Sequence, residues 1–126
     1  MSKKKHESVG QAQIVPATID DVGVLTDMLL DSHKDPVFGE LAETKREPVE
    51  KWFTNLLTIG RAAFARKEGK RVGAIVLWQF PLYSNSECKI VHTAFLWVDR
   101  DHRGNGIGLQ LMHEGERIAQ EMGANV

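Results

Sequence analysis

Along this chain the spacing of apolar residues switches between a helical and an extended period, and the switches mark its elements. Gln13-Ile14-Val15-Pro16-Ala17 reads as a short strand, with Pro16 placing it at a sheet edge or a strand end. Thr18-Ile19-Asp20-Asp21 has the form of a capping box, a hydroxyl followed three residues later by a carboxylate, and predicts a helix behind it. Val22, Leu25, Met28 and Leu29 then recur at helical spacing as far as about His33, despite the cost of Gly23 inside. Residues 32–44 are polar, contain Pro36 and Gly39, and predict a loop. A second helix is expected from Glu47-Pro48, with proline in the favoured first position. It would bury Val49, Trp52, Phe53, Leu56 and Leu57 before Gly60 ends it. From Arg61 the period becomes extended: residues 62–66 and 72–78 form a hairpin around Lys67-Glu68-Gly69-Lys70. Val72 to Trp78 is apolar at odd and even positions alike, so helices should cover both faces of its sheet. Residues 81–88 predict another loop, and Lys89 to Val98 another strand that is apolar on both sides. The last helix is expected from about Gly106 to Met122, with Ile107, Leu111, Ile118 and Met122 on one side and Gly123 as its stop. The order β-α-α-β-β-β-α describes an α/β fold.

Composition narrows the class without naming the chemistry. The 126 residues are 42% hydrophobic and 26% charged, as expected of one soluble domain, here residues 13–126 behind a flexible basic tail, 1–12. A net charge of −1 gives no global attraction to nucleic acid or to an anionic membrane. Lys3-Lys4-Lys5 is the one basic run and reads as a solvated tail. No apolar run approaches the roughly 20 residues of a membrane span, and no signal peptide is legible, so a cytoplasmic location is expected. Cys88 is the one cysteine, which agrees with a reducing compartment. The histidines at 6, 33, 92, 102 and 113 show no metal-ligand spacing, so no metal is expected.

Candidate chemistry concentrates after Val98. Asp99-Arg100-Asp101-His102-Arg103-Gly104-Asn105-Gly106-Ile107-Gly108 leads from a strand into a helix through glycines at alternate positions. Such glycines leave backbone N–H groups uncovered at a helix start, and Arg103 adds a fixed positive charge beside them. The arrangement suits a diphosphate better than a single phosphate, because a helix N-terminus by itself contributes only about 0.3–2 kcal/mol.

The run Arg103-Gly104-Asn105-Gly106-Ile107-Gly108, between that strand and that helix, resembles the Arg/Gln-x-x-Gly-x-Gly/Ala signature of the GNAT family, the Gcn5-related N-acetyltransferases. The resemblance extends from about Ile14 to the last residue. It implies a mixed, mostly antiparallel sheet with helices on both faces. It also implies acetyl-coenzyme A as co-substrate and an amine, of unknown identity, as acceptor. Backbone groups of Arg103, Gly104, Asn105, Gly106, Ile107 and Gly108 would take the pyrophosphate, while Leu96 and Val98 would align the pantetheine arm like an added strand. The backbone N–H of Val98 would hydrogen-bond the thioester carbonyl. In the family the chain continues into a fifth strand, a fourth helix and two further strands, so this sequence is expected to be C-terminally truncated, with Ala124-Asn125-Val126 opening the fifth strand. Many members protonate the departing thiolate with a tyrosine of that fourth helix. The one tyrosine here, Tyr83, lies in a predicted loop, so no general acid carries over.

His92 is the candidate general base. It lies two, four and six residues before Ala94, Leu96 and Val98, which places it on their face of a regular strand, and a catalytic carboxylate occupies a comparable place in some members. A histidine suits proton transfer near neutral pH; the alternative is a core histidine bonded to a neighbour. An unpaired apolar edge on the last strand is a hazard that folded proteins cover. A second copy or another chain is therefore expected there. A non-catalytic assembly module, completed at that edge by a partner, is the alternative to an enzyme.

Overall fold

The computed structural model describes residues 12–34 and 44–124, so the tail before Ala12, most of the 32–44 loop, Asn125 and Val126 lie outside the described residues. Four strands form one antiparallel sheet in the order β1-β2-β3-β4: β1 Gln13–Ala17, β2 Gly60–Lys67, β3 Lys70–Leu82 and β4 Asn85–Val98. Three helices cover it: α1 Val22–Ser32, α2 Arg46–Ile59 and α3 Ile107–Glu121. The observed order is the expected β-α-α-β-β-β-α, and all described pairings are antiparallel. No described helix is long and apolar enough to cross a membrane.

The residues of β3 explain the layering. Val72 to Leu77 are buried without interruption, so both faces of the sheet carry a core. On one face α1 and α2 pack Leu25, Met28, Leu29, Phe53 and Leu56 against Phe64, Val76 and Trp97. On the other, α3 packs Ile107, Leu111 and Ile118 against Ala63, Ala65, Ile75 and Leu77. Gly115 lets α3 come close, since a Cβ there would lie 2.8 Å from Ile75 Cδ1. Gly60, the first residue of β2 directly after α2, is required for a different reason: a Cβ there would lie 1.9 Å from the Leu77 carbonyl oxygen.

Local signals act as expected at several points. The capping box forms, with the Thr18 N–H donating to Asp21 Oδ2 at 2.8 Å, and it opens a 3-10 turn, Ile19–Asp21, that runs into α1. Gly123, at φ 79°, follows α3. Ala12 is fastened to α3, its N–H donating to Gln110 Oε1 at 3.0 Å and its carbonyl accepting from Gln110 Nε2 at 3.1 Å.

Four expectations are corrected. Trp52 is 40% exposed rather than buried, because the buried stripe of α2 runs through Phe53 and Leu56 and its neighbour must turn outward. Pro48 is the third residue of α2, a first-turn position where the missing N–H is still harmless. The loop expected at 81–88 is a two-residue turn, Tyr83-Ser84, because β3 and β4 stay paired as far as Leu82 and Asn85. The fourth correction is a bulge in β4. Val76 pairs with Phe95 but Leu77 pairs with Thr93, leaving Ala94 as an extra residue that reverses the alternation of side chains.

Candidate functional site

The end of β4 presents two kinds of free backbone group. The N–H of Asp99 donates to the Val72 carbonyl at 2.7 Å, and the Trp97 carbonyl points at Gly73 of β3. By the alternation of an antiparallel ladder, the N–H and C=O of Leu96 and Val98 therefore point away from β3, out of the edge of β4 that no described strand occupies. The Val98 carbonyl accepts from Arg103 Nε at 2.8 Å, which folds the guanidinium back over this edge.

Beyond Val98 the chain makes a 3-10 turn, Arg100–His102, closed by the His102 N–H donating to the Asp99 carbonyl at 2.9 Å. His102 Nδ1 also lies 2.9 Å from Asp99 Oδ2. Gly104 and Gly106 follow with φ of 86° and 83°, the left-handed region that favours glycine. Gly106 is the N-cap of α3 and supplies no capping side chain, and the first helical bond runs from the Gln110 N–H to the Gly106 carbonyl at 3.0 Å. The N–H groups of Ile107, Gly108 and Leu109 thus precede the helical ladder, as free donors at the positive end of the helix dipole. A Cβ built on Gly104 or Gly106 would meet no atom within 4 Å, so the space above these amides is open.

The two features meet in one depression of about 450 Å3, lined by Leu96, Trp97, Val98, Arg103, Gly104, Gly108 and Ser32. The structure so places together the expected strand end and three of the six expected turn residues, Arg103, Gly104 and Gly108, while Asn105, Gly106 and Ile107 do not line the depression; it adds two residues that sequence did not single out. Ser32 enters from the last turn of α1, its Oγ donating to the Leu29 carbonyl at 2.6 Å. Trp97 carries a buried indole N–H without a partner. The open amides, the outward backbone of Leu96 and Val98, and one guanidinium fit a ligand with a diphosphate and an extended amide arm.

His92 does not join this group. The bulge at Ala94 puts His92 on the face of Trp78, whose ring lies 6.2 Å away edge to face, whereas Leu96 and Val98 face α3. The expected common face of His92, Leu96 and Val98 is thus corrected. His92 instead lines a separate recess of about 360 Å3 with Trp52, Asn55, Trp78 and Ala94. Ala94 itself connects the two regions, lying at the bulge between the recess and the edge groups of Leu96.

One group of ion pairs lies on α3 and the start of β2. Arg117 donates to Glu114 Oε2 at 2.6 Å and also pairs with Glu121, which accepts from Arg61 Nη1 at 2.6 Å. Hydrogen bonding from Arg117 holds the Glu114 carboxyl below its ordinary range, and hydrogen bonding from Arg61 does the same for Glu121.

Comparison with solved structures shows where this architecture recurs. An integron cassette protein from the mobile metagenome of Cole Harbour Salt Marsh superposes with a TM-score of 0.77 at 20% identity, over 90% of this chain and 73% of that one. A ribosomal-protein-alanine N-acetyltransferase from Brucella melitensis biovar Abortus 2308 gives 0.66 at 20% identity, over 90% and 75%. A predicted acetyltransferase from Clostridium acetobutylicum, crystallised with acetyl-CoA, gives 0.67 at 19% identity, over 91% and 77%. At such identities the likeness is one of fold. A search of curated protein sequences found no match. The family model for the acetyltransferase (GNAT) family matches residues 26–126, which include α1 from Thr26 onward, α2, strands β2 to β4 and the whole glycine turn, and the chain therefore belongs to the GNAT family.

Proposed function

We propose that this chain transfers an acetyl group from acetyl-coenzyme A to an amine. The observation that carries the reading is the junction of the outward backbone of Leu96 and Val98 with the open amides at the start of α3. Bound there, acetyl-coenzyme A supplies a thioester whose carbonyl carbon is open to attack and whose sulfur leaves as a thiolate. Gly104, Gly106, Ile107 and Gly108 would hold the pyrophosphate through backbone N–H groups, and Arg103, beside them, would supply an opposite charge. Leu96 and Val98 hold the arm as a strand would.

The length of that arm bears on the oxyanion donor. About four peptide-length units span roughly 13–14 Å. An arm of that length starting at the glycine turn would run along the edge past Val98 toward Leu96. The N–H groups of Val98 and Leu96, both turned out of the edge, are then the donors available to the developing oxyanion. The amine nitrogen forms the new C–N bond as the C–S bond breaks. The thiolate takes a proton from solvent, and the surplus proton on nitrogen passes to His92 or to water. The bulge turns His92 into the recess bordering Ala94, which supports the first of these routes.

The test is release of coenzyme A thiol from acetyl-coenzyme A in the presence of a panel of primary amines. Amine-dependent release with a matching acetylated product supports the reading. No release by a folded sample that binds the cofactor overturns it.

A second reading is favoured by the same edge. Leu96 and Met112 are 41% and 51% exposed beside an apolar groove of about 380 Å3 between β4 and α3. In this reading a second copy of the chain, or another chain, adds a strand to β4 and covers them in a non-catalytic assembly. Light scattering separates the two: a stable dimer that ignores acetyl-coenzyme A supports assembly, and a monomer that binds it supports the enzyme.

A further inference from the structure

The recess holding His92 is built from rings. Trp78 is stacked on Phe80, with centroids 4.7 Å apart and planes 34° from parallel, and His92 meets Trp78 edge to face at 80°. Trp52 closes the opposite side from α2 and is 40% exposed, and Ile59 beside it is 50% exposed. An indole and an aliphatic side chain left open to water around a cavity favour an apolar occupant. A volume of about 360 Å3 is at the small end for ligand sites, which run from roughly 300 to 1,000 Å3. Its polar groups are few: Asn55 and His92 are the described lining residues with polar side chains, and no described lining residue is a carboxylate.

That lining discriminates among amines. A polycationic acceptor needs carboxylates to balance its charge on desolvation, and the described lining offers none. A single ammonium needs less, because an indole face attracts one cation and the Asn55 carbonyl can accept from it. An aromatic ring joined to that amine would stack between Trp52 and Trp78.

Resting on the acetyl-transfer reading, we propose that this recess is the acceptor site and that its substrate class is a primary amine carried on an aromatic ring. The donor's arm lies along the edge of β4, the acceptor enters from the α2 face, and they meet at the Ala94 bulge. There His92 is available to the amine.

The experiment follows the three indole N–H signals of the full chain by NMR, with phenethylamine and spermidine as probes and acetyl-coenzyme A titrated separately. Saturable shifts of the Trp52 and Trp78 signals with phenethylamine, and none at equal concentrations of spermidine, are expected. Trp52→Ala should weaken phenethylamine about tenfold while Trp52→Phe retains most of the affinity, and neither should change binding of acetyl-coenzyme A. Acetyl-coenzyme A binding without any phenethylamine shift at Trp52 and Trp78 would overturn the recess assignment alone, as would spermidine binding there equally well. Phenethylamine binding at both tryptophans in a protein that ignores acetyl-coenzyme A would sink acetyl transfer while upholding the recess as an aromatic-amine site.

Discussion

Replacing Gly106 separates backbone strain from ligand binding, and the structure sets both magnitudes. The residue sits at φ 83° and ψ 4° as the N-cap of α3, and a Cβ there would touch no protein atom within 4 Å. The cost of a side chain is therefore conformational, about 1–2 kcal/mol for a residue forced left-handed, with valine the worse for its branched Cβ. In a domain of this size that corresponds to a fall in Tm of roughly 3–10 °C. The effect on cofactor binding should be larger. A valine side chain fills the open space over the amides of Ile107 and Gly108, and hydrogen bonds to a charged group contribute about 1.5–3 kcal/mol each. Losing two of them corresponds to a loss of about 10²–10⁴-fold in affinity for acetyl-coenzyme A. Gly106→Ala shares part of the strain but projects one methyl, so its affinity should fall less than that of Gly106→Val, and its Tm should lie above it. Isothermal titration well below either Tm reads the affinities, and thermal unfolding reads the strain. A Gly106→Val protein with the expected loss of Tm and unchanged affinity would refute the phosphate assignment.

Further predictions concern the base, the close approaches and the surface charges. His92→Gln should lower kcat/KM by about 100-fold with acetyl-coenzyme A affinity unchanged; an unchanged kcat/KM would return His92 to a packing role. Gly60→Ala should prevent stable folding, because its Cβ would meet the Leu77 carbonyl at 1.9 Å. Gly115→Ala meets the movable end of Ile75 and should cost about 1–3 kcal/mol by thermal unfolding; equal Tm values for the two variants would contradict this ordering. Arg117→Gln should raise the depressed carboxyl of Glu114. A depressed carboxylate stabilises the fold above its unfolded-state pKa, and that stability is lost as pH falls through the folded value. The Tm deficit of Arg117→Gln should therefore be present at pH 7 and shrink as the pH falls below the ordinary carboxylate range, and a deficit that does not change with pH would refute the ion-pair origin.

Residues with a strict local rule were legible in the sequence. Gly104 and Gly106 were readable because glycines just before a helix leave its first N–H groups uncovered, and the space beside both is open. Val72 to Leu77 announced a sheet covered on both faces because a run without alternation has no wet side. Two features that shape the site depend on non-local contacts and were not. The Ala94 bulge lies within Thr93-Ala94-Phe95, residues that all suit a strand, and only pairing with β3 shows that one of them is extra. That single residue moves His92 from the face of Leu96 and Val98 to that of Trp78. Trp52 did carry a usable signal: adjacent helical residues point about 100° apart, so with Phe53 fully buried it could not share the centre of the stripe. The polar stretch at 81–88 read as a loop because β3 and β4 extend past the apolar core, where pairing continues without hydrophobic side chains to mark it.

The central claim is that the edge of β4 and the glycine turn form one cofactor site. The most direct measurement is a backbone amide NMR titration of the full chain with acetyl-coenzyme A. The account predicts saturable shifts concentrated at Leu96, Val98 and residues 103–109, with smaller changes in β1 and at the Tyr83-Ser84 turn. No shifts up to millimolar cofactor, or shifts confined to other parts of the chain, would contradict it.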